Sequence, residues 1–397
     1  MSGDQVLRAL VLKQINGFSY KDLAFHLADS RSYRTFCRMG LGDRTPRKSA
    51  LQSAIGKLRP ETLEQINRLL VRAAVDAGLD SGDKVRIDTT VTESNIHHPT
   101  DSSLLWDSTR VLVRLMRQVR EKLGIAFTFR DRTRAAKRRV YKINQARRQK
   151  KRVPYYRELL RICEKSMRAA RRLIFRLRRS GDGAATTYAD KVEHYVGLAL
   201  RVVDQTQRRV FKGESVPASE KVVSIFEEHT DVIRKGGRDT EYGHKICLAV
   251  GRSTLVLDCT IEDGAPADST LAVEAVQRLQ AITGKVPHSI AMDSGFSSVA
   301  NLASITHLGV NEVMFHRKKP LLDTSQMTST PAVHKALWRF RAGVEGCVSF
   351  LKRCLGLRRA TWRGRAGFDR YVHSSVFAAN LLTVARLRLQ HEKPKAA

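Results

Sequence analysis

Aspartate is depleted from strand interiors, so an aspartate centred in an apolar, β-branched run needs a reason. Asp88 stands in KVRIDTTVT (residues 84–92), where Val85, Ile87, Thr89 and Val91 alternate as on a half-buried strand. Asp293 closes the apolar run in HSIAMDSG just before Gly295, at the carboxyl edge where open α/β sheets place their ligands. A third acid, Glu345, lies in WRFRAGVEGCVSFLKRCLGL. At about 100° per residue, Leu337, Phe340, Val344, Cys347 and Leu351 form an apolar stripe there that should pack on the sheet. Trp338, Arg341, Glu345, Val348 and Lys352 form the stripe beside it, with Arg341, Glu345 and Lys352 within about 40° of one another. For either aspartate alone, capping or hydrogen bonding fits as well as chemistry. For the helix, an Arg–Glu pair on a wet surface, worth about 0.3–0.5 kcal/mol, is the plain alternative. Asp258 in LVLDCTI and Asp263 and Asp268 in the loop after it rank lower, because Gly264 and Pro266 make that loop resemble a turn with a helix cap.

Three carboxylates converging in one cleft would repel, and some would stay protonated unless a cation neutralised them. Hard divalent ions resolve this. Mg²⁺ takes oxygen ligands and keeps water and phosphate oxygens in its shell, and two such ions about 3.5–4 Å apart clamp the attacking and leaving oxygens of an in-line displacement at phosphorus. The expected cofactor is therefore a pair of Mg²⁺ ions on Asp88, Asp293 and Glu345, with Mn²⁺ able to take their place.

The composition names the substrate class. Among 397 residues, Lys and Arg total 71 against 39 acids, a formal charge of +32, so a large polyanion is the expected partner. No run approaches the roughly 18 apolar residues of a membrane span and no signal-peptide core opens the chain, which points to a cytoplasmic protein on nucleic acid. The six cysteines are scattered, without a C-x-x-C pair or zinc-finger spacing. They read as reduced, mostly buried thiols, and the pair His97 and His98 reads as a polar loop. No structural metal is expected.

The elements that must position these acids fall into three parts. Residues 1–80 read as a separate helical domain. In its last helix, from Pro60 to Gly78, Leu63, Ile66, Leu69, Leu70 and Ala73 form the expected buried face. A short helix near 47–58, with Arg47, Lys48 and Lys57, is a candidate helix-turn-helix reader of DNA, although solvated charge explains it nearly as well. Residues 81–109 and 216–397 read as strands alternating with helices, a mixed α/β sheet with covered faces, including a hairpin of YGHKICLAVG with STLVLDCTI. Residues 110–215 read as an inserted basic helical domain. From Arg110 to Ser180 there are 26 Lys and Arg against four acids, a local excess of 22. Apolar residues interleave with these charges, so the segment can pack as helices, with Pro154 suited to a helix start and SGDGAATT (180–187) to a turn. Its Arg138, Arg139, Arg147 and Arg148 are candidate phosphate contacts.

The order Asp in RIDTT, Asp in AMDSG and Glu on a later helix resembles the DDE-type transposases of bacterial insertion sequences. Arg341, Glu345 and Lys352 are similar to the Y-x2-R-x3-E-x6-K pattern of those enzymes, with Trp338 where the pattern has Tyr. LADSRSYRTFCRMGL resembles the helical N-terminal domain with which many of them recognise transposon ends, and NIHHPTDSSLLWDSTRVL resembles the stretch after the first Asp in one insertion-sequence group. The resemblance covers nearly the whole chain apart from the basic insertion. It implies an RNase H-like catalytic domain, Asp88, Asp293 and Glu345 as metal ligands and catalytic residues, and Arg341, Lys352 and Trp338 as DNA contacts. It further implies cleavage and strand transfer of double-stranded transposon ends and target, by a homodimer in the DNA complex. A nucleic-acid-binding descendant without catalysis is the alternative.

Overall fold

Eleven residues from Lys84 to Ser94 form β1, and the alternation read from them sorts its two faces. Val85 and Ile87 are fully buried on one side, while Arg86 and Asp88 point to the other. In the computed structural model, which describes residues 1–40, 42–234, 239–316 and 322–392, five helices precede this strand. They are α1 (Gly3–Ile15), α2 (Tyr20–Asp29), α3 (Arg31–Phe36), α4 (Lys48–Gly56) and α5 (Pro60–Asp76). After β1 come α6 (Asp101–Leu123), α7 (Thr133–Gln145), α8 (Gln149–Arg179) and α9 (Gly183–Thr206). The rest alternates: β2 (Asp231–Ile233), β3 (Glu241–Val250), β4 (Val256–Glu262), α10 (Asp268–Thr283), β5 (Ser289–Met292), α11 (Val299–His307), β6 (Glu312–Phe315), α12 (Thr324–Met327), α13 (Pro331–Cys354), β7 (Arg359–Ala360) and α14 (Arg365–Glu392).

The chain forms two compact units, Met1–Asn95 with Ile233–Ala397, and Ile96–Val232. In the first, β1 runs antiparallel to β3 and parallel to β5, β3 runs antiparallel to β4, and β5 runs parallel to β6. The path through the sheet is β2-β3-β1-β5-β6. One face is covered by a core of Val85, Ile87, Ile290, Met292 and the α10 residues Leu271, Ala275 and Leu279. On the other face Ile246, Leu248 and Val250 pack with Val344, Cys347 and Leu351 of α13 and with α14. The stripe expected on α13 is thus the one it buries, with Leu337, Val344 and Leu351 all at 2% exposure or less.

The helices α1 to α5 share the compact unit of the sheet. Gln14 of α1 donates to the Leu355 carbonyl and to Ser375 Oγ, both at 2.7 Å, and Val71, Ala74 and Leu79 belong to the same core as β1 and β5. The buried face of α5 is Leu63, Asn67, Val71 and Ala74, whereas Leu69, expected inside, is 63% exposed. A polar pair turns the helix. Asn380 of α14 donates to Asn67 Oδ1 at 2.9 Å, and the same side chain accepts from Val256 N and donates to Val256 O, both at 2.8 Å. Every polar group of this buried amide is matched, so an asparagine takes the place that periodicity assigns to an apolar residue.

The second unit is a bundle of α6 to α9 around its own apolar core, including Leu112, Leu159, Leu173, Val192 and Val202. The expected insertion at 110–215 lies within it. Its first helix starts earlier, capped by Thr100, whose hydroxyl accepts from Ser103 N. Pro154 does not open α8, which begins five residues before it; it lies in the second turn, where its missing N–H removes one bond of the ladder. Likewise α9 begins at Gly183 with Asp182 as its cap, so the turn expected at 180–187 is confined to its first residues. Among the described residues no helix is long and apolar enough to cross a membrane.

Candidate active site

Two aspartates meet where β1 and β5 present their carboxyl side to α13. Asp88 lies within β1, opposite Leu248 of β3. Asp293 directly follows β5 and caps the short turn Ser294–Phe296. The Arg341 guanidinium reaches both, with Nη2 3.5 Å from Asp88 Oδ2 and 3.4 Å from Asp293 Oδ1. Arg341 is 14% exposed and Asp88 19%, while Asp293 is more open at 39%. Carboxylates carried by neighbouring parallel strands therefore converge on one cationic position, as oxygen donors for a hard cation must.

The remaining positions on α13 are sorted by the same geometry. Arg341 pairs with the two aspartates rather than with its i, i+4 neighbour Glu345. Glu345 lies one turn further along, exposed, and among the described residues no three His, Cys, Asp or Glu side chains are placed to hold a metal. Trp338 is half exposed and stacks on His316, ring centroids 6.1 Å apart and 19° from parallel. His316 is tied to the site through its N–H, which donates to the Met292 carbonyl just before Asp293. Lys352 is half-buried, two turns beyond Glu345.

Sequence reasoning missed Arg86. It is buried at 5% exposure, donates Nη1 to the Phe340 carbonyl at 3.0 Å and lies over the Phe340 ring at 4.7 Å. Burial pulls its pKa below the ordinary guanidinium value. Its place is made by Gly343, where a Cβ would stand 3.0 Å from Arg86 Cζ and closer still to Nη1. An arginine two residues before Asp88 on the same strand face was the available signal; it fixes the height at which α13 crosses β1, and hence where Arg341 meets Asp88.

The rival acids have partners of their own. Asp258 is buried and paired with Arg278 at 2.8 Å, and Asp263 pairs with Arg365. Asp268 was ranked low as part of a turn; it is the first residue of α10, accepts from Thr89 Oγ1 at 2.9 Å and from Lys245 Nζ at 2.8 Å, and leaves no room for a side chain at Gly295. It braces the strand residue after Asp88 and the turn after Asp293 from the opposite face of the sheet.

In the second unit Arg138, Arg147 and Arg148 are exposed, while Arg139 is committed to Glu158 at 2.5 Å. Among the described residues, five cysteines are buried and Cys354 is exposed, none in a disulfide. Burial raises the Cys163 thiol to about 12 and the Cys347 thiol to about 11, so neither supplies a thiolate at neutral pH.

Two transposase families match the chain. The family described as transposase DDE domain matches residues 197–381, and the transposase domain (DUF772) matches residues 3–55. The chain belongs to the DDE-type transposases of insertion sequences. No curated protein and no solved structure matches it. The DDE match contains Asp293, Arg341 and Glu345 and begins after Asp88; the other match ends within α4, so it takes in most of the candidate helix-turn-helix segment. Enzymes of this family act on DNA and generally use divalent metal ions, the ligand class to which a pair of converging aspartates is suited.

Proposed function

We propose that this transposase cleaves the ends of its element and joins them to target DNA, with Asp88, Asp293 and Glu345 as the metal-holding carboxylates of an RNase H-like domain. The observation that carries this reading is the convergence of Asp88 and Asp293 on a single guanidinium. The sheet supports it further: an antiparallel β1-β3-β4 meander continued by parallel β5 and β6, with α13 packed across its centre. Divalent ions bound there would polarise the phosphodiester and activate the attacking oxygen. Asp88 and Asp293 supply oxygen ligands from the rigid sheet, and Glu345 joins from α13. Trp338, backed by His316, and Lys352 hold the DNA beside the carboxylates, and the exposed Arg138, Arg147 and Arg148 contact phosphates elsewhere along it. The reaction takes place in a homodimer on double-stranded DNA, with Mg²⁺ as the working ion, in the cytoplasm.

The test is strand cleavage of a duplex carrying the element's own ends. Purified protein should nick it in Mg²⁺ or Mn²⁺, stop in EDTA, and resume when the metal is restored. A protein that binds the ends but leaves both strands intact in either metal overturns the reading.

Arg341 supplies a second measurement. Its guanidinium holds positive charge between the aspartates, and among the described residues its buried Nε has no hydrogen-bond partner, so the side chain is incompletely satisfied there. In the absence of DNA, Arg341→Ala should therefore bind Mn²⁺ more tightly than the parent in a calorimetric titration. Equal or weaker binding would show that the guanidinium does not compete with metal.

A further inference from the structure

The second unit carries a concentration of charge distinct from the arginines singled out by sequence. Between α6 and α7 lies a cleft of about 350 Å³ lined by Arg110, Arg114, Arg117, Arg134, Lys137 and Trp106. Arg110, Arg114 and Arg117 follow one face of α6 at i, i+4 and i+7 and span about 10 Å at 1.5 Å rise per residue. Arg134 and Lys137 face them from one turn of α7.

The walls are built rather than incidental. Arg110 is paired with the buried Asp107 at 2.6 Å and lies over the Trp106 ring at 5.0 Å and the Phe226 ring at 5.5 Å. Arg117 is paired with Asp131, whose other oxygen accepts from Thr133 N at the start of α7. These two arginines are thereby fixed in direction. Lys137 leans on the Trp106 ring at 6.0 Å, so cations rather than a stacked base occupy the neighbourhood of that indole. Among the described residues no acid pairs with Arg114, Arg134 or Lys137, and all three are exposed. Three unmatched cations held along a 10 Å trough by two anchored ones suit a row of anions with regular spacing.

We infer that the α6–α7 cleft is a backbone-binding groove that seats consecutive phosphates of one DNA strand. One strand of B-DNA rises about 3.4 Å per phosphate but winds around its axis, so neighbouring phosphates stand roughly 6–7 Å apart and a 10 Å trough takes about two, within reach of the three unmatched cations. Contacts of this kind position DNA without reading its sequence. The inference rests on the reading that this chain acts on DNA, and it assigns the contact to a groove separate from Arg138, Arg147 and Arg148.

The experiment compares two full-length triple variants, Arg114→Ser with Arg134→Ser and Lys137→Ser, and Arg138→Ser with Arg147→Ser and Arg148→Ser. Affinity for a duplex of unrelated sequence is measured against salt concentration, with circular dichroism confirming unchanged helix content. Each lost phosphate contact should flatten the plot of log K against log salt by about 0.9, so the cleft variant should lose about two from the slope. A cleft variant with the parent's slope, beside a flattened slope in the Arg138, Arg147 and Arg148 variant, overturns the groove and leaves DNA binding by the insertion standing. Parental slopes in both overturn the groove together with the insertion's part in DNA binding, and a parent without affinity for duplex overturns the reading on which it rests. If vesicles of anionic phospholipid, but not duplex, lose affinity in the cleft variant, the groove belongs to a lipid headgroup and the inference falls.

Discussion

Asp293→Asn is expected to lose strand cleavage by roughly a thousandfold or more while binding DNA as the parent does. The side chain keeps its volume and its position after β5 but no longer offers a charged oxygen to a cation. Lewis-acid stabilisation by a bound metal is worth several kcal/mol, and about 4 kcal/mol corresponds to three decades in rate. Asp88→Asn should behave alike, since both carboxylates address the same position, 3.4 and 3.5 Å from one nitrogen. Glu345→Gln separates two arrangements of the site. If Glu345 joins the aspartates when metal and DNA are bound, the variant loses cleavage to a similar degree; if it remains on the exposed side of α13, the variant cleaves like the parent. The measurement is single-turnover nicking of labelled ends, with binding followed in parallel in Ca²⁺. An Asp293→Asn protein that nicks at the parental rate would remove that residue from the assignment.

The second large effect is expected far from the metal-binding carboxylates. Gly243 of β3 pairs with Glu93 of β1, and a Cβ placed on it would stand 2.7 Å from Glu93 Cα and closer still to the Thr92 carbonyl oxygen. Both are backbone atoms of the neighbouring strand, so no rotamer change relieves the clash. Gly243→Ala should cost about 2–3 kcal/mol, read as a fall of roughly 5–10 °C in the melting transition of the sheet unit. The same exchange at Gly346, where an added Cβ meets nothing within 4 Å, should leave that transition unchanged or raise it slightly, because alanine favours a helix over glycine by about 0.8–1.0 kcal/mol. Equal melting of the two variants would show that the ladder yields at Gly243.

Local patterns in the sequence were legible where one residue's environment is set by near neighbours. The stripe of Leu337, Val344, Cys347 and Leu351 repeats at the helical period and is buried as the period requires. Asp88 and Asp293 stood out because an acid in a strand is costly without a purpose. What the sequence concealed depends on partners far along the chain. Arg341 reads locally as the i, i+4 mate of Glu345, yet its carboxylates come from β1, 253 positions away, and from the end of β5. Asp268 looks like a helix cap until the fold brings Thr89 to it across 179 positions. On α5 the pattern itself misled: Asn67 is buried where Asn380 donates to its Oδ1, and the buried face lies away from Leu69. Periodicity counts apolar residues and is blind to a buried amide pair.

The bonds from Gln14 to Leu355 and Ser375, across 341 and 361 positions, also govern when the protein can finish folding. During synthesis α1 precedes the carbonyl and hydroxyl it needs by 341 and 361 positions. At about 5–20 residues per second, roughly 20–70 s separate the two events. Throughout that interval the surface of α1 destined for α14 has no native cover. Contacts of such long sequence separation form slowly because loop closure must precede any gain from them. Slower growth at reduced temperature should therefore raise the yield of folded protein.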